Sequence, residues 1–249
     1  MKIPLKSAAE LDGMRVSCRM TAEVLGRVAA AVQPGVTTGE LDEMAQKIIK
    51  EMRARPSFLG YRGYPAAMCI SINDEVIHGI PGRRVIMPGD VVSLDVGVYY
   101  KGFHGDSATT VMVGVVDPDV IRLVEATRRA LEAALAVVRP GARLSDVSNV
   151  VETTARASGC SVVRDFVGHG IGRELHEEPQ VPNFGAAGRG PVLRPGMTLA
   201  IEPMVNLGRS EVSVLDDNWT VVTLDGQPSA HFEHTVAVLE DGMEILSKA

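Results

Sequence analysis

The feature that most constrains this chain is an internal repeat. Val32-Gln33-Pro34-Gly35 and Val138-Arg139-Pro140-Gly141 each follow a helix-like segment, 106 residues apart. Five residues beyond each glycine an acidic–aliphatic pair, Glu40-Leu41 or Asp146-Val147, opens the next helix. Later, Pro88-Gly89 leads to Leu94-Asp95 and Pro195-Gly196 leads to Ile201-Glu202, with the carboxylate seven residues after each proline. Each half also carries His-Gly-Ile, at His78 and His169, and closes with Asp106 or Glu233 entering a β-branched run. Marks repeated in one order predict a single domain over 1–249. Its two similar halves, about 7–115 and about 118–245, are expected to face each other about a pseudo-twofold axis. The paired carboxylates should meet at that axis.

The local patterns supply the elements. Apolar residues at spacings of three and four predict a helix over about Ser7–Val32. Thr37 and Glu40 form a capping box for a second helix, expected to run to about Arg55 and stop at Pro56. Residues 56–66 read as a loop. Strands are expected at Met68–Ile72, Val91–Tyr99 and about Phe103–Val113, with a turn-rich stretch at 73–89. Asp117-Pro118 starts a third helix and a fourth covers about Leu144–Ser158. The rest reads as short strands and long loops.

Composition excludes several classes. The 249 residues are 45% hydrophobic, enough for a sizeable core, and the net charge of −6 gives no general affinity for nucleic acid or anionic lipid. Three cysteines without CxxC spacing support neither a disulfide framework nor a thiolate metal site. No apolar run approaches the roughly 20 residues a bilayer requires. The N-terminus does not read as a signal peptide. A cytoplasmic protein is the expectation, with monomer as the default.

Strand parity selects the chemistry. In the 91–100 run Val92, Leu94, Val96 and Val98 share one face, and Ser93, Asp95 and Gly97 share the other. Asp95 therefore projects from an aliphatic layer, and Asp106 lies on the expected partner strand. Glu202 and Glu233 likewise interrupt runs suited to a core. Two carboxylates about 4 Å apart repel by roughly 4 kcal/mol at an effective dielectric near 20. Four together call for cations or protons. Two divalent ions balance four carboxylates, and a neutral imidazole completes a shell suited to Mn, Fe(II), Co or Zn.

These motifs resemble the type I methionine aminopeptidases of the short bacterial kind. GYPAAMCISINDEVIHGIPG, SLDVGVYYKGFHGDSATT, VGHGIGRELHEEP, AIEPM and FEHTV occur in that family's order and spacing along essentially the whole chain. The resemblance implies an α+β pita-bread (creatinase/aminopeptidase) fold, with a central antiparallel sheet covered by helices. It implies a hydrolase that removes the initiator methionine from nascent proteins and peptides by a two-metal activated-water mechanism. Asp95, Asp106, His169, Glu202 and Glu233 become the metal ligands, with the identity of the two ions (Co, Mn, Fe or Zn) open. Glu202 becomes the proton shuttle. His176 is expected on the substrate carbonyl and His78 on the scissile amide nitrogen or the following backbone. Phe58, Tyr61, Tyr64, Cys69 and Trp219 form the methionine pocket. Asn73 and Ser229 match positions that help bind a monovalent cation.

The same resemblance implies a substrate with methionine first and a small second residue. Phe58 departs from a frequent cysteine, Leu175 from a frequent aromatic and His231 from a frequent glutamine. His104 and His234 have no assigned role. Ribosome contact suits the task, but no basic run specifies it. A proline-directed peptidase of the same fold and a non-catalytic pita-bread binding module are the rival readings. The chain length and the five filled ligand positions weigh against them.

Overall fold

A computed structural model describes residues 2–248. Helix α1, Ala8–Ala29, begins at a capping box in which Ser7 and Glu10 satisfy each other's backbone amides. Helix α2, Thr38–Glu51, begins at the corresponding box between Thr37 and Glu40. It ends before the expected Arg55. Arg53 takes a left-handed φ of 56° and turns the chain back. Arg55–Pro56 then forms a short strand against the 91–100 strand, with Arg55 opposite Tyr99. Helix α3, Pro118–Val137, starts at the Asp117 cap, and helix α4, Leu144–Ala157, packs against it.

The centre is a nine-stranded sheet. Its spine runs from Arg55–Pro56 through Val91–Tyr100, Phe103–Met112, Glu233–Leu239, Thr198–Ile201 and Gly168–Gly170 to Glu177–Val181. Every recorded pairing along it is antiparallel. Val92, Leu94, Val96 and Val98 are buried beneath the apolar faces of α1 and α2. Leu199, Ile201, Val236 and Val238 are buried with those of α3 and α4. The helices thus seal the aliphatic side of each strand pair and leave the carboxylate side to face a cavity.

The repeated Pro-Gly marks have a common physical cause. Gly35, Gly89, Gly141 and Gly196 have φ of 92°, 97°, 86° and 88°, a region that a side chain disfavours. Their amides make matching bonds. Gly35 N–H donates to Ile86 O and Gly141 N–H to Leu193 O, while Gly89 N–H donates to Val113 O and Gly196 N–H to Val238 O. Thr37 bridges Val85 as Arg143 bridges Val192. In each half the first turn ties the start of a helix to a distant segment, and the second opens the strand that leads to Asp95 or Glu202.

One further strand, Glu75–Ile77, lies within the stretch expected to be turns. It pairs with Val221–Thr223 and carries the chain to His78. No helix of the described residues is long and apolar enough to cross a membrane.

Candidate metal centre and substrate pocket

Residues of both halves meet in one cavity of about 170 Å³. Asp95 and Asp106 come from the first hairpin, where Gly97 lies opposite Asp106 and Asp95 opposite Ala108. Alternation puts both carboxylates on the same face. Glu233 pairs with Ala108 from the neighbouring strand. His169 sits opposite Ala200, two residues before Glu202. All five line the cavity. One ligand atom from each of Asp106, His169 and Glu233 falls within a 4.8 Å triad. Asp95 and Glu202 stand outside that triad but line the same cavity.

The cluster is largely buried and short of partners. Asp95 Oδ1, Asp106 Oδ1 and Glu233 Oε1 are buried without a hydrogen bond among the described residues. Burial pushes the Asp95 carboxyl up to about 7 and Glu202 up to about 8. Asp106 and Glu233 are raised well above the usual range by burial and then by the neighbouring acids. Burial lowers His169 to about 3, so its imidazole is neutral. Its Nδ1 lies 2.8 Å from Gly170 O. A carbonyl can only accept, so Nδ1 carries the proton and Nε2 offers a lone pair. Orphaned carboxylate oxygens around a neutral imidazole fit a divalent cation.

The other end of the cavity is aromatic. Tyr61 stacks on His176 with centroids 5.2 Å apart, and Trp219 meets Tyr64 edge-on at 5.0 Å. The Tyr64 hydroxyl donates to Gly79 O at 2.9 Å, which fixes its ring. Phe58 reaches over the sheet because Gly97 lies beneath it. A Cβ at Gly97 would stand 2.8 Å from the Phe58 ring and 2.7 Å from Ser57 Cβ. His78 adopts a φ of 60°, uncommon for a residue with a Cβ, and lines the cavity beside Trp219. Burial lowers His78 and His176 to about 4, leaving both rings neutral.

All five expected ligands, both expected histidines and all five expected pocket residues therefore border one space. Leu175 is there too. Arg62, Ile77, Phe166 and Val167 also line it and carry no expectation from sequence. Phe166 meets the His78 ring edge-on at 5.8 Å. Its one local signal is an aromatic three residues before His169. Asn73 and Ser229 lie elsewhere, joined by a backbone bond from Ser229 N–H to Asn73 O. Asn73 Nδ2 donates to Asp90, and Ser229 Oγ is 2.9 Å from Asn206 Oδ1. His104 and His234 bond to Ser57 and Ser247, which makes them structural imidazoles.

A model of metallopeptidase family M24 matches residues 12–240. The chain belongs to family M24, on its methionine aminopeptidase branch. Within family M24 it is 47% identical to methionine aminopeptidase 1 of Bacillus subtilis, over 98% of each chain. It is 44% identical to the methionine aminopeptidase of Escherichia coli, over 99% of this chain and 94% of that one. The crystal structure of the Thermotoga maritima methionine aminopeptidase superposes with a TM-score of 0.98 at 46% identity, covering all of both chains. A Pyrococcus horikoshii prolidase, 20% identical with a TM-score of 0.78, shares the pita-bread fold. The fold class expected from sequence is thus the observed one.

Proposed function

We propose that this chain is a metal-dependent aminopeptidase that hydrolyses the bond after an N-terminal methionine. The observation that carries the reading is the buried carboxylate–imidazole cluster at one end of an aromatic-walled cavity. Relatives at 44–49% identity over nearly the whole chain add support, and they favour this reading over the proline-directed and non-catalytic rivals. We further propose that the two halves, about 7–115 and about 118–245, act as one catalytic domain. The matching turn bonds of the four Pro-Gly glycines support this.

Asp95, Asp106, His169, Glu202 and Glu233 would hold two divalent ions drawn from Mn, Fe, Co or Zn. Such ions, when bound, lower the pKa of water and polarise a carbonyl. The protein's own groups do the rest. Glu202 takes the proton of the attacking water on a carboxylate oxygen and passes it to the leaving amine nitrogen. His176 is neutral and donates its ring N–H to the substrate carbonyl oxygen as charge develops there. His78 orients the scissile amide or the backbone beyond it. Phe58, Tyr61, Tyr64, Cys69 and Trp219 enclose the methionine thioether and exclude water.

The decisive assay is methionine release from short peptides by protein reconstituted separately with each of the four ions. A Met-Ala peptide should be cleaved well, a Met-Leu peptide poorly and an Xaa-Pro peptide lacking methionine not at all. Absence of methionine release with every ion, or preference for the Xaa-Pro peptide, would overturn the reading. His176→Ala should lower kcat by roughly 10²-fold, the scale of one lost transition-state donor. Its metal stoichiometry by calorimetry should match the wild type. An unchanged kcat would remove His176 from the mechanism.

A further inference from the structure

One buried group in the cavity region has no part in the reading above. His231 is 2% exposed, and its Nε2 has no hydrogen-bond partner among the described residues. That nitrogen lies 3.6 Å from Glu202 Oε2. The other carboxyl oxygen, Glu202 Oε1, lies 3.6 Å from His169 Nε2. Glu202 therefore lies between two imidazoles, one facing each oxygen. His231 has little freedom to turn away. It ends the Ser229–His231 strand opposite Met204, two residues beyond Glu202. Thr110 clamps its backbone on both sides, accepting from His231 N–H at 3.0 Å and donating to His231 O at 2.7 Å. Asp95 and His78 are the other titratable groups near the ring, and burial disfavours its protonated form.

We propose that His231 is a positioning residue: in the metal-loaded protein its Nε2–H closes the 3.6 Å gap to Glu202 Oε2 and donates there, fixing the carboxylate so that Oε1 serves the reaction. This rests on the role given to Glu202 above. The chemistry of the two rings decides the direction of the bond. In the metal-loaded protein Glu202 is an ionised ligand, and an ionised carboxylate only accepts, so His231 must carry its proton on Nε2. His169 carries its proton on Nδ1, because Gly170 O accepts there. The two rings flanking Glu202 thus hold opposite tautomers. The alternative role for His231, a sixth metal ligand through Nε2, demands the Nδ1–H form. Without a donor on Oε2, only metal ligation would restrain the soft terminal torsion of Glu202.

The test uses zinc-loaded full-length protein labelled with ¹⁵N-histidine. Ring resonances are read by long-range ¹H–¹⁵N correlation, and those of His231 are identified by their loss in His231→Gln. The expected result is the Nε2–H tautomer for His231. The Nδ1–H tautomer would overturn the proposal, as would loss of one zinc equivalent in His231→Gln by calorimetry. In the peptide assay, His231→Leu should lower kcat by roughly 30-fold, the scale of one hydrogen bond to a charged group, with KM within about twofold. His231→Gln keeps an N–H donor and should retain at least about a third of the wild-type kcat. Wild-type kcat in His231→Leu, or equal losses in both variants, would end the positioning role. Should His231→Leu not fold, His231→Gln and the tautomer decide. A wild-type protein that releases no methionine would defeat the proposed function, while the tautomer still tests the bond itself.

Discussion

Glu202→Gln is expected to lower kcat for a Met-Ala peptide by roughly 10³-fold, within the range general acid–base groups contribute. The substitution is nearly isosteric, so the side chain still fits between His169 and His231. What it removes is the capacity to take a proton at one step and return it at the next. Metal affinity should weaken as well, because an amide oxygen replaces a charged ligand. The metal-free fold should not suffer. Burial raises the Glu202 carboxyl to about 8, so an ionised side chain is disfavoured there and a neutral amide relieves that penalty. Urea midpoints of the chelated proteins should therefore be equal, or higher for the variant. Unimpaired turnover at saturating metal would show that the proton moves by another route. Lost turnover together with an unfolded chelated protein would show that Glu202 is structural.

The parts of this architecture that are readable in sequence are those with local causes. A left-handed glycine after a proline leaves a visible mark wherever it occurs, and four such turns recur in one order along the chain. Strand parity is equally local. It separates Asp95 from Val92, Leu94, Val96 and Val98 without any knowledge of what lies across the cavity. The capping pair Thr37 and Glu40 sets the start of α2 for the same reason. The end of α2 is different. Arg53 has no residue-type signature for its φ of 56°, so the helix reads four residues too long and the short strand at Arg55–Pro56 is missed.

Long-range pairings are the other hidden class. The Glu75–Ile77 strand exists because Val221–Thr223 pairs with it, and nothing within the turn-rich stretch announces that. Phe166 borders the cavity beside His78, almost ninety residues earlier. His231 illustrates the same limit. Sequence marks it as unusual, but its approach to Glu202 depends on Ser229–His231 pairing with Met204–Asn206. Chemistry that depends on one strand, or on a repeat that links two, is legible, whereas a contact set only by register between distant strands, such as His231 with Glu202, is not.

Chelated protein should lose stability as pH rises from 6.5 to 8, whereas metal-loaded protein should not. Metal-free and folded, Asp95 titrates near 7 and Glu202 near 8, with Asp106 and Glu233 also raised by burial. In the unfolded chain such acids titrate near 4. Between these limits the folded state keeps protons that the unfolded state has released. Unfolding then gives up protons, so higher pH favours it. This contribution is complete below about pH 4 and is lost as pH climbs through the folded values. Each retained proton lowers the unfolding free energy by about 1.4 kcal/mol per pH unit. The buried histidines act in the opposite sense. His78, His169 and His176 are neutral when folded but gain protons on unfolding below about 6.5, so their contribution rises with pH and levels off there. Above 6.5 only the carboxylates remain. Bound divalent ions replace their protons, and binding itself adds about 4 kcal/mol at a thousandfold excess over Kd. The gap between EDTA-treated and manganese-loaded urea midpoints should therefore widen steadily across that interval. A gap independent of pH would mean that the four acids are not held together in the metal-free fold.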